Sequence, residues 1–429
     1  MPVSALRNAT CLSCKKHVVS RSTQLALTLC SAIALLSGCA SNAHHSTDAS
    51  SDEPIGTVQQ IYDGALTPDM AVHTFRHIDK LFPTRRIARG DTVSPLPEAP
   101  QPQQLTQVKF VSNGKHYDLF DFLALDRVSG LLILKNDQIV YETYQYGNTP
   151  QTRWMSMSLA KSITSTLFGA ALKDGLIGSI DDPVTRYVPQ LTGSAYDGVT
   201  VRNILMMASG VRWDETYTNP KSDRRALLEV QLAQKPGGTI QLMSKLPRAV
   251  PPGSRFNYST GETQVAAEVL HGALKGKTIS AYLSEKVWKP LGMQSDATWW
   301  LDSPDGVEIG GSGLSATLRD WGRFGVFIEN GGVVDGQQVV PAGWTTEAGT
   351  PKTLSTGQVS HYGYFWWPVT SGQSVQDGAY AGHGIEGQGL YINPKEKVVI
   401  VMWGAQSKPG GMEVINRDDF FNAVLAAVK

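Results

Sequence analysis

The stretch WMSMSLAKSITSTLFGAALKDG, residues 154–175, decides how this chain is read. From Ser158 onward the apolar Leu159, Ile163, Leu167, Ala170 and Ala171 recur at helical spacing, and Gly175 suits a helix end. The spacing predicts one helix over 158–175, with Ser158 at its N-terminus and Lys161 one turn later on the same face. A serine touching a lysine at a helix start can be a nucleophile beside its base. It can equally be an N-cap next to a solvated lysine. Spacing alone does not choose, since a second Ser-x-x-Lys, Ser13 to Lys16, lies near the amino terminus.

The nucleophile reading sets physical requirements. Backbone N–H groups at a helix start favour developing negative charge, so the N–H of Ser158 can stabilise the oxyanion of an acyl transfer. A lysine accepts the hydroxyl proton only when neutral, which calls for burial or neighbouring cations. Trp154, Met155, Met157 and Leu159 offer such surroundings. In PPGSRFNYSTGETQVAAEVLHGAL, 251–274, Tyr258-Ser259-Thr260 sits at a turn before an apolar helix, where a phenol can share a proton with Lys161. In YAGHGIEGQGLYINP, 380–394, Gly382-His383-Gly384 enters a strand. Glycines there let a substrate lie along the strand edge and meet a second oxyanion N–H. A tyrosine at a loop edge and a histidine bonded within a turn are the plainer readings of the last two.

Around these motifs, SGLLILKNDQIVYETYQYG, 129–147, reads as two strands joined at Asn136-Asp137, and GQGLYINPKEKVVIVMWG, 387–404, repeats the pattern around Asn393-Pro394. RDDFFNAVLAAVK at the end is helical by period. The expected fold class is α/β (α+β): an antiparallel sheet formed from both chain ends, flanked by helices, with a mostly helical region inserted and a cleft at the junction.

The order Ser-x-x-Lys, Tyr-x-Thr and His on a late strand resembles the serine β-lactamase and penicillin-binding-protein superfamily. The branch is the class C-like one, close to 6-aminohexanoate-dimer hydrolases and SxxK carboxylesterases. DDPVTRYVPQL, LMMASGVRW, VWKPLGM, GGSGLSATLRDWGRFG and GYFWW follow in the expected order over roughly residues 125–429. The resemblance implies the β-lactamase/transpeptidase-like fold, with Ser158 as acylated nucleophile, Lys161 as its proton partner and Tyr258 as acid/base relay. His383 stands at the first position of the third motif, followed by Gly384. The second oxyanion N–H comes from Ile385 or Glu386, and Tyr217 and Thr260 are expected substrate contacts. Two positions depart from the pattern. Thr260 stands where asparagine is common, and His383-Gly384-Ile385 replaces Lys/His-Thr/Ser-Gly. Because the missing lysine or threonine helps bind a lactam carboxylate, the expected substrate is a small amide or ester. A D-Ala-D-Ala carboxypeptidase ranks next and a β-lactamase third. A non-catalytic envelope binding lipoprotein is the reading of a different class.

The 429 residues carry 38 Lys plus Arg against 38 Asp plus Glu, which argues against nucleic acid as a partner. No metal-ligand cluster or cofactor motif stands out, and nothing fixes the oligomeric state. The leader is more specific. Basic Lys15, Lys16 and Arg21 precede the apolar run LALTLCSAIALL, 25–36, too short to span a bilayer. Leu36-Ser37-Gly38-Cys39 resembles a bacterial lipobox, so residues 1–38 are expected to be a lipoprotein signal peptide and Cys39 the lipidated residue. All 4 cysteines lie at or before that point, which excludes cysteine catalysis in the mature chain. The expectation is an envelope protein anchored to a membrane through its lipid, on the periplasmic face of the outer membrane. Residues 39–55 read as a flexible tether, 56–107 as a proline-broken N-terminal arm, and 108–429 as the hydrolase domain.

Overall fold

The computed structural model describes residues 53–100 and 105–429, so the signal peptide, Cys39 and all of the tether before residue 53 lie outside it. The N-terminal segment folds first into helices α1 (Val58–Asp63) and α2 (Pro68–Arg76), each N-capped by a threonine side chain. Strand β1 (Thr84–Ile87) follows. Next come the hairpin β2 (Val128–Lys135) and β3 (Gln138–Tyr144), the short β4 (Arg153–Met155) and helix α3 (Ala160–Lys173). The inserted helical region includes helix α4 (Thr260–Ala273). Strands β5 (Ala297–Trp300) and β6 (Leu314–Thr317) lead into helix α5 (Leu318–Glu329). The last elements are β7 (Trp367–Pro368), β8 (Tyr380–Gly384), β9 (Gln388–Asn393), β10 (Val398–Gly404) and helix α6 (Arg417–Ala427).

Strands β7-β8-β9-β10-β2-β3, in that order, make a six-stranded antiparallel sheet from both chain ends, as the two hairpin patterns led us to expect. Asn136 and Asp137 both have positive φ, at 51° and 63°, the backbone that a two-residue hairpin turn with right-handed strand twist requires. The continuous apolar runs LLIL and VVIVMW reflect burial of both sheet faces. Leu132, Leu134, Val399, Val401 and Trp403 face one core, while Leu131, Ile133, Val398, Ile400 and Met402 face the other, beneath α6.

The segment expected as an arm is woven into the domain. The compact unit runs from Asp52 to Lys429, so its start is not near residue 108. Strand β1 pairs antiparallel with β5 in a four-stranded sheet ordered β1-β5-β6-β4. Phe75 and Ile78 are fully buried, Phe75 edge-on to Trp154 at 5.8 Å, and the Trp300 indole N–H donates to the Ile78 carbonyl at 2.6 Å. This segment escaped notice as core because its helices are short and its prolines break the hydrophobic period. Phe75→Ala is therefore expected to destabilise the protein by about 3–5 kcal/mol in urea unfolding, as for other buried phenylalanines. A loss under about 1 kcal/mol would mean a loosely docked arm.

Candidate active site

Chain entry into α3 is irregular, and that irregularity presents Ser158. Residues Met157–Leu159 form a 3-10 turn, and the regular helix starts only at Ala160, so the predicted helix is two residues shorter at each end. Met157 takes φ 41°, a backbone that a residue with a side chain adopts at a cost. From Trp154 to Ala171 every residue is buried except Ser158, which keeps an exposed face on a cleft. Leu159 is the N-cap residue of the helix and makes no side-chain cap bond. With Lys161 at 2% exposure, the N-cap-plus-solvated-lysine alternative fails on both counts.

The Lys161 amine meets three groups: Ser158 Oγ at 3.0 Å, Thr260 Oγ1 at 3.3 Å and the Gly311 carbonyl at 2.9 Å. Burial pushes its pKa down to about 7, opposed by the Glu215 carboxylate and assisted by the Arg224 guanidinium. Donor and acceptor roles then follow. A carbonyl only accepts, so Gly311 takes one N–H. The Thr260 hydroxyl donates to Glu215 Oε1, so toward the amine it must accept. A neutral amine has two N–H groups, and these two partners use both. Its lone pair is left for the hydroxyl of Ser158.

Glu215 was missed in the sequence, although it lies two residues before Tyr217. Its carboxylate accepts from the Thr260 hydroxyl, the Thr260 N–H at 2.9 Å and the Trp213 indole N–H. Thr260 was expected to touch substrate. It is only 4% exposed, and its hydroxyl is fully engaged between Lys161 and Glu215, so it orients the amine from behind. Gly311 also gave no signal, because a carbonyl acceptor leaves no side-chain mark. In the fold, Lys161 and Thr164, one turn apart, donate to the consecutive carbonyls of Gly311 and Gly310.

Tyr258 precedes Ser259, the N-cap residue of α4, whose hydroxyl accepts from the Glu262 N–H. Burial first and then the Glu215 carboxylate raise the pKa of the Tyr258 phenol, against a lowering influence of Ser158, so the phenol keeps its proton. The ring stacks on Trp367 at 5.6 Å, with the Lys161 amine 5.2 Å from the Tyr258 ring centroid. On the opposite side, β7 pairs with β8 only as far as Ala381, leaving the edge at 382–384 facing the serine turn. Glycine is required for that approach: a Cβ on Gly382 would stand 2.4 Å from Leu159 Cδ1, and one on Gly384 2.5 Å from the Ser156 carbonyl.

These groups open into a cleft of about 1220 Å³. Ser158, Tyr217, Tyr258, Trp367, His383, Gly384 and Ile385 line it. Asp63 and Gly64 of the N-terminal segment complete one rim. Between the two oxyanion candidates, Ile385 faces the cleft. The side chain of Glu386 does not: it is 1% exposed, with neither carboxyl oxygen bonded and its pKa raised by burial. Among the described residues no group of three His, Cys, Asp or Glu is placed to hold a metal.

The family model described as Beta-lactamase matches residues 126–421. The chain belongs to the β-lactamase family. It is 29% identical over 349 residues to 6-aminohexanoate-dimer hydrolase of Paenarthrobacter ureafaciens, covering 78% of this chain and 85% of that one. Among solved structures, a Bacillus anthracis protein with the provisional name 6-aminohexanoate-dimer hydrolase superposes with TM-score 0.73 at 22% identity, covering 84% of this chain and 94% of its own. A penicillin-binding-protein homologue from Caulobacter crescentus gives TM-score 0.51 at 17% identity, covering 70% and 92%. Both structures share the fold. The β-lactamase-family chain is a serine hydrolase.

The carbonyl at Gly311 can be tested directly. A Cβ there would stand 2.1 Å from Thr263 Oγ1 and 3.1 Å from Lys161 Nζ, so Gly311→Ala must shift the loop that holds the amine. It is expected to lower kcat by about ten- to a hundredfold, since displacements near 1 Å suffice for such losses. Unchanged kcat in the folded variant would dismiss this carbonyl as an anchor.

Proposed function

We propose that the chain hydrolyses short linear amides of the ω-amino-acid type, and related esters, through an acyl-enzyme on Ser158. The observation that carries this reading is the buried Lys161 amine, 3.0 Å from Ser158 Oγ with its pKa lowered to about 7. Ser158 Oγ attacks the substrate carbonyl while its proton passes to Lys161. The N–H groups of Ser158 and Ile385 hold the oxyanion. As the tetrahedral adduct collapses, the Tyr258 phenol gives its proton to the leaving nitrogen or oxygen, and the Lys161 ammonium returns one to Tyr258. Water then enters by the same route in reverse and frees the acid.

The substrate class draws support from the walls and the rim. Tyr217, Tyr258 and Trp367 offer aromatic surface for a methylene chain. Asp63, Lys408 and Glu413 at the rim offer charges of both signs for its amino and carboxyl ends. The name of the Paenarthrobacter ureafaciens relative points the same way. An envelope location belongs to the same proposal, with cleavage before Cys39 and a lipid on its thiol, supported by the residues 36–39 pattern.

Two measurements test it. Ser158 should be labelled by a fluorophosphonate, and Ser158→Ala should lose both the label and turnover of 6-aminohexanoate dimer. Since only neutral Lys161 can take the proton, and its pKa is lowered to about 7, kcat/KM should fall about tenfold per pH unit below that value and level off above it. No adduct on folded protein sinks the mechanism, while faster turnover of nitrocefin than of the dimer sinks the substrate assignment. For the anchor, cells expressing the full chain should incorporate labelled palmitate, and Cys39→Ser should abolish that incorporation; labelling that persists rejects it.

A further inference from the structure

His383 has a neighbour on the cleft wall that the hydrolytic chemistry above does not use. Arg417, in the first turn of α6, places Nη1 3.0 Å from His383 Nδ1 and also donates from Nη1 to the Gln388 carbonyl at 3.1 Å. A guanidinium has five N–H donors and no acceptor, and stays charged. Nδ1 must therefore accept. A neutral imidazole carries one N–H, so that hydrogen sits on Nε2.

We infer that Arg417 is a positioning residue that locks His383 as the neutral Nε2–H tautomer, making the ring a fixed hydrogen-bond donor to substrate oxygens and never a proton acceptor. This deepens the hydrolase reading of the cleft and rests on it. Protonating Nδ1 would set an N–H against an N–H and one cation against another. In agreement, enclosure and the Arg417 charge push the His383 pKa down from 6.5 to about 3. The surrounding charges do not reverse this. Glu413, Asp126 and Asp418 act on Arg417, whose Nη2 lies 3.9 Å from Glu413. Glu386, three residues on, has its pKa raised by burial, which disfavours its charged form. The neighbours on β9 and β7, Gly389 and Trp367, bring no charge, and neither does Ser158. Across the cleft, Lys161 adds a cation only when protonated, and the Glu215 carboxylate already accepts three hydrogen bonds. His383 lines the cleft, and with Nδ1 held by Arg417 the Nε2–H is the one ring donor left for substrate.

Nitrogen-15 shifts of the His383 ring, assigned by comparison with His383→Asn, measure this directly. In the unaltered protein Nδ1 should keep the shift of an unprotonated ring nitrogen and Nε2 that of an N–H down to pH 5. Arg417→Met, which removes the donor, should raise the ring's pKa from about 3 toward 6.5 while burial still holds it below, mix the two tautomers of the neutral ring, and raise KM about fivefold at pH 8, the value of one hydrogen bond, with kcat within about twofold. Arg417→Lys should restore the single tautomer. A wild-type ring that titrates near 6.5, or carries its proton on Nδ1, overturns the inference even if Arg417→Met does not fold. So do unchanged ring shifts in that variant. Fluorophosphonate labelling of Ser158 in the same sample reports the hydrolase reading separately, so failure of one can be told from failure of the other.

Discussion

An amine shut away from water cannot readily hold a charge, and this site is arranged around that penalty. Two charges lie near Lys161 with opposite effects: Glu215 favours the ammonium and Arg224 disfavours it. Because they oppose, burial decides, and the amine titrates within the range where it can pass a proton in either direction. The same carboxylate has a second task. By accepting the Thr260 hydroxyl proton it makes Thr260 an acceptor, and thereby fixes where the lysine lone pair points. A fully solvated lysine would lose both properties, because water would stabilise its charge and randomise its hydrogen bonds.

Holding that amine dry requires the strand edge, the serine turn and the Gly310-Gly311 loop to approach more closely than side chains permit. Gly382, Gly384 and Gly311 are bare for this reason, each with a neighbour inside 3 Å of where a Cβ would be. The left-handed Met157 performs the complementary task. It turns the backbone so that one side chain in a buried run, Ser158, emerges into the cleft. Strain of this kind persists only where the surroundings over-determine it, and here Trp154, Met155, Leu159 and Ala160 are all essentially fully buried around it.

How much of this was legible follows from the range of each interaction. Ser158 and Lys161 are a helical turn apart, and Asn136-Asp137 is a two-residue turn, so local pattern exposes them. Tyr258 and His383 are distant in the chain yet could be picked out because each stands beside a local mark, a helix start or a glycine pair. Gly311, Glu215 and Arg417 carry no such mark. Gly311 acts through its carbonyl, 150 residues from the lysine it serves. Glu215 acts through another side chain. Arg417 looks like an ordinary charge at the start of a surface helix, and only the fold brings it 3.0 Å from His383.

The N-terminal segment shows why the cleft cannot be attributed to the family motifs alone. Tyr62 of α1 stacks on Tyr217 at 6.0 Å, and the buried Arg224 guanidinium lies 4.1 Å over the other ring system of that pair, Tyr62. Tyr217 forms the cleft wall, so its position depends on a ring contributed from outside residues 126–421. Asp63 pairs with Arg225 in the next position of the same helix as Arg224, and Gly64 rests against the Lys408 side chain from the loop before α6. Removing α1 would therefore do more than uncover apolar surface. It would free Tyr217, strip the Tyr62 ring from a buried cation that also tunes Lys161, and open one rim of the cleft. Shape of the substrate site and ionisation of its base are thus coupled through a single tyrosine that lies before the matched family region begins.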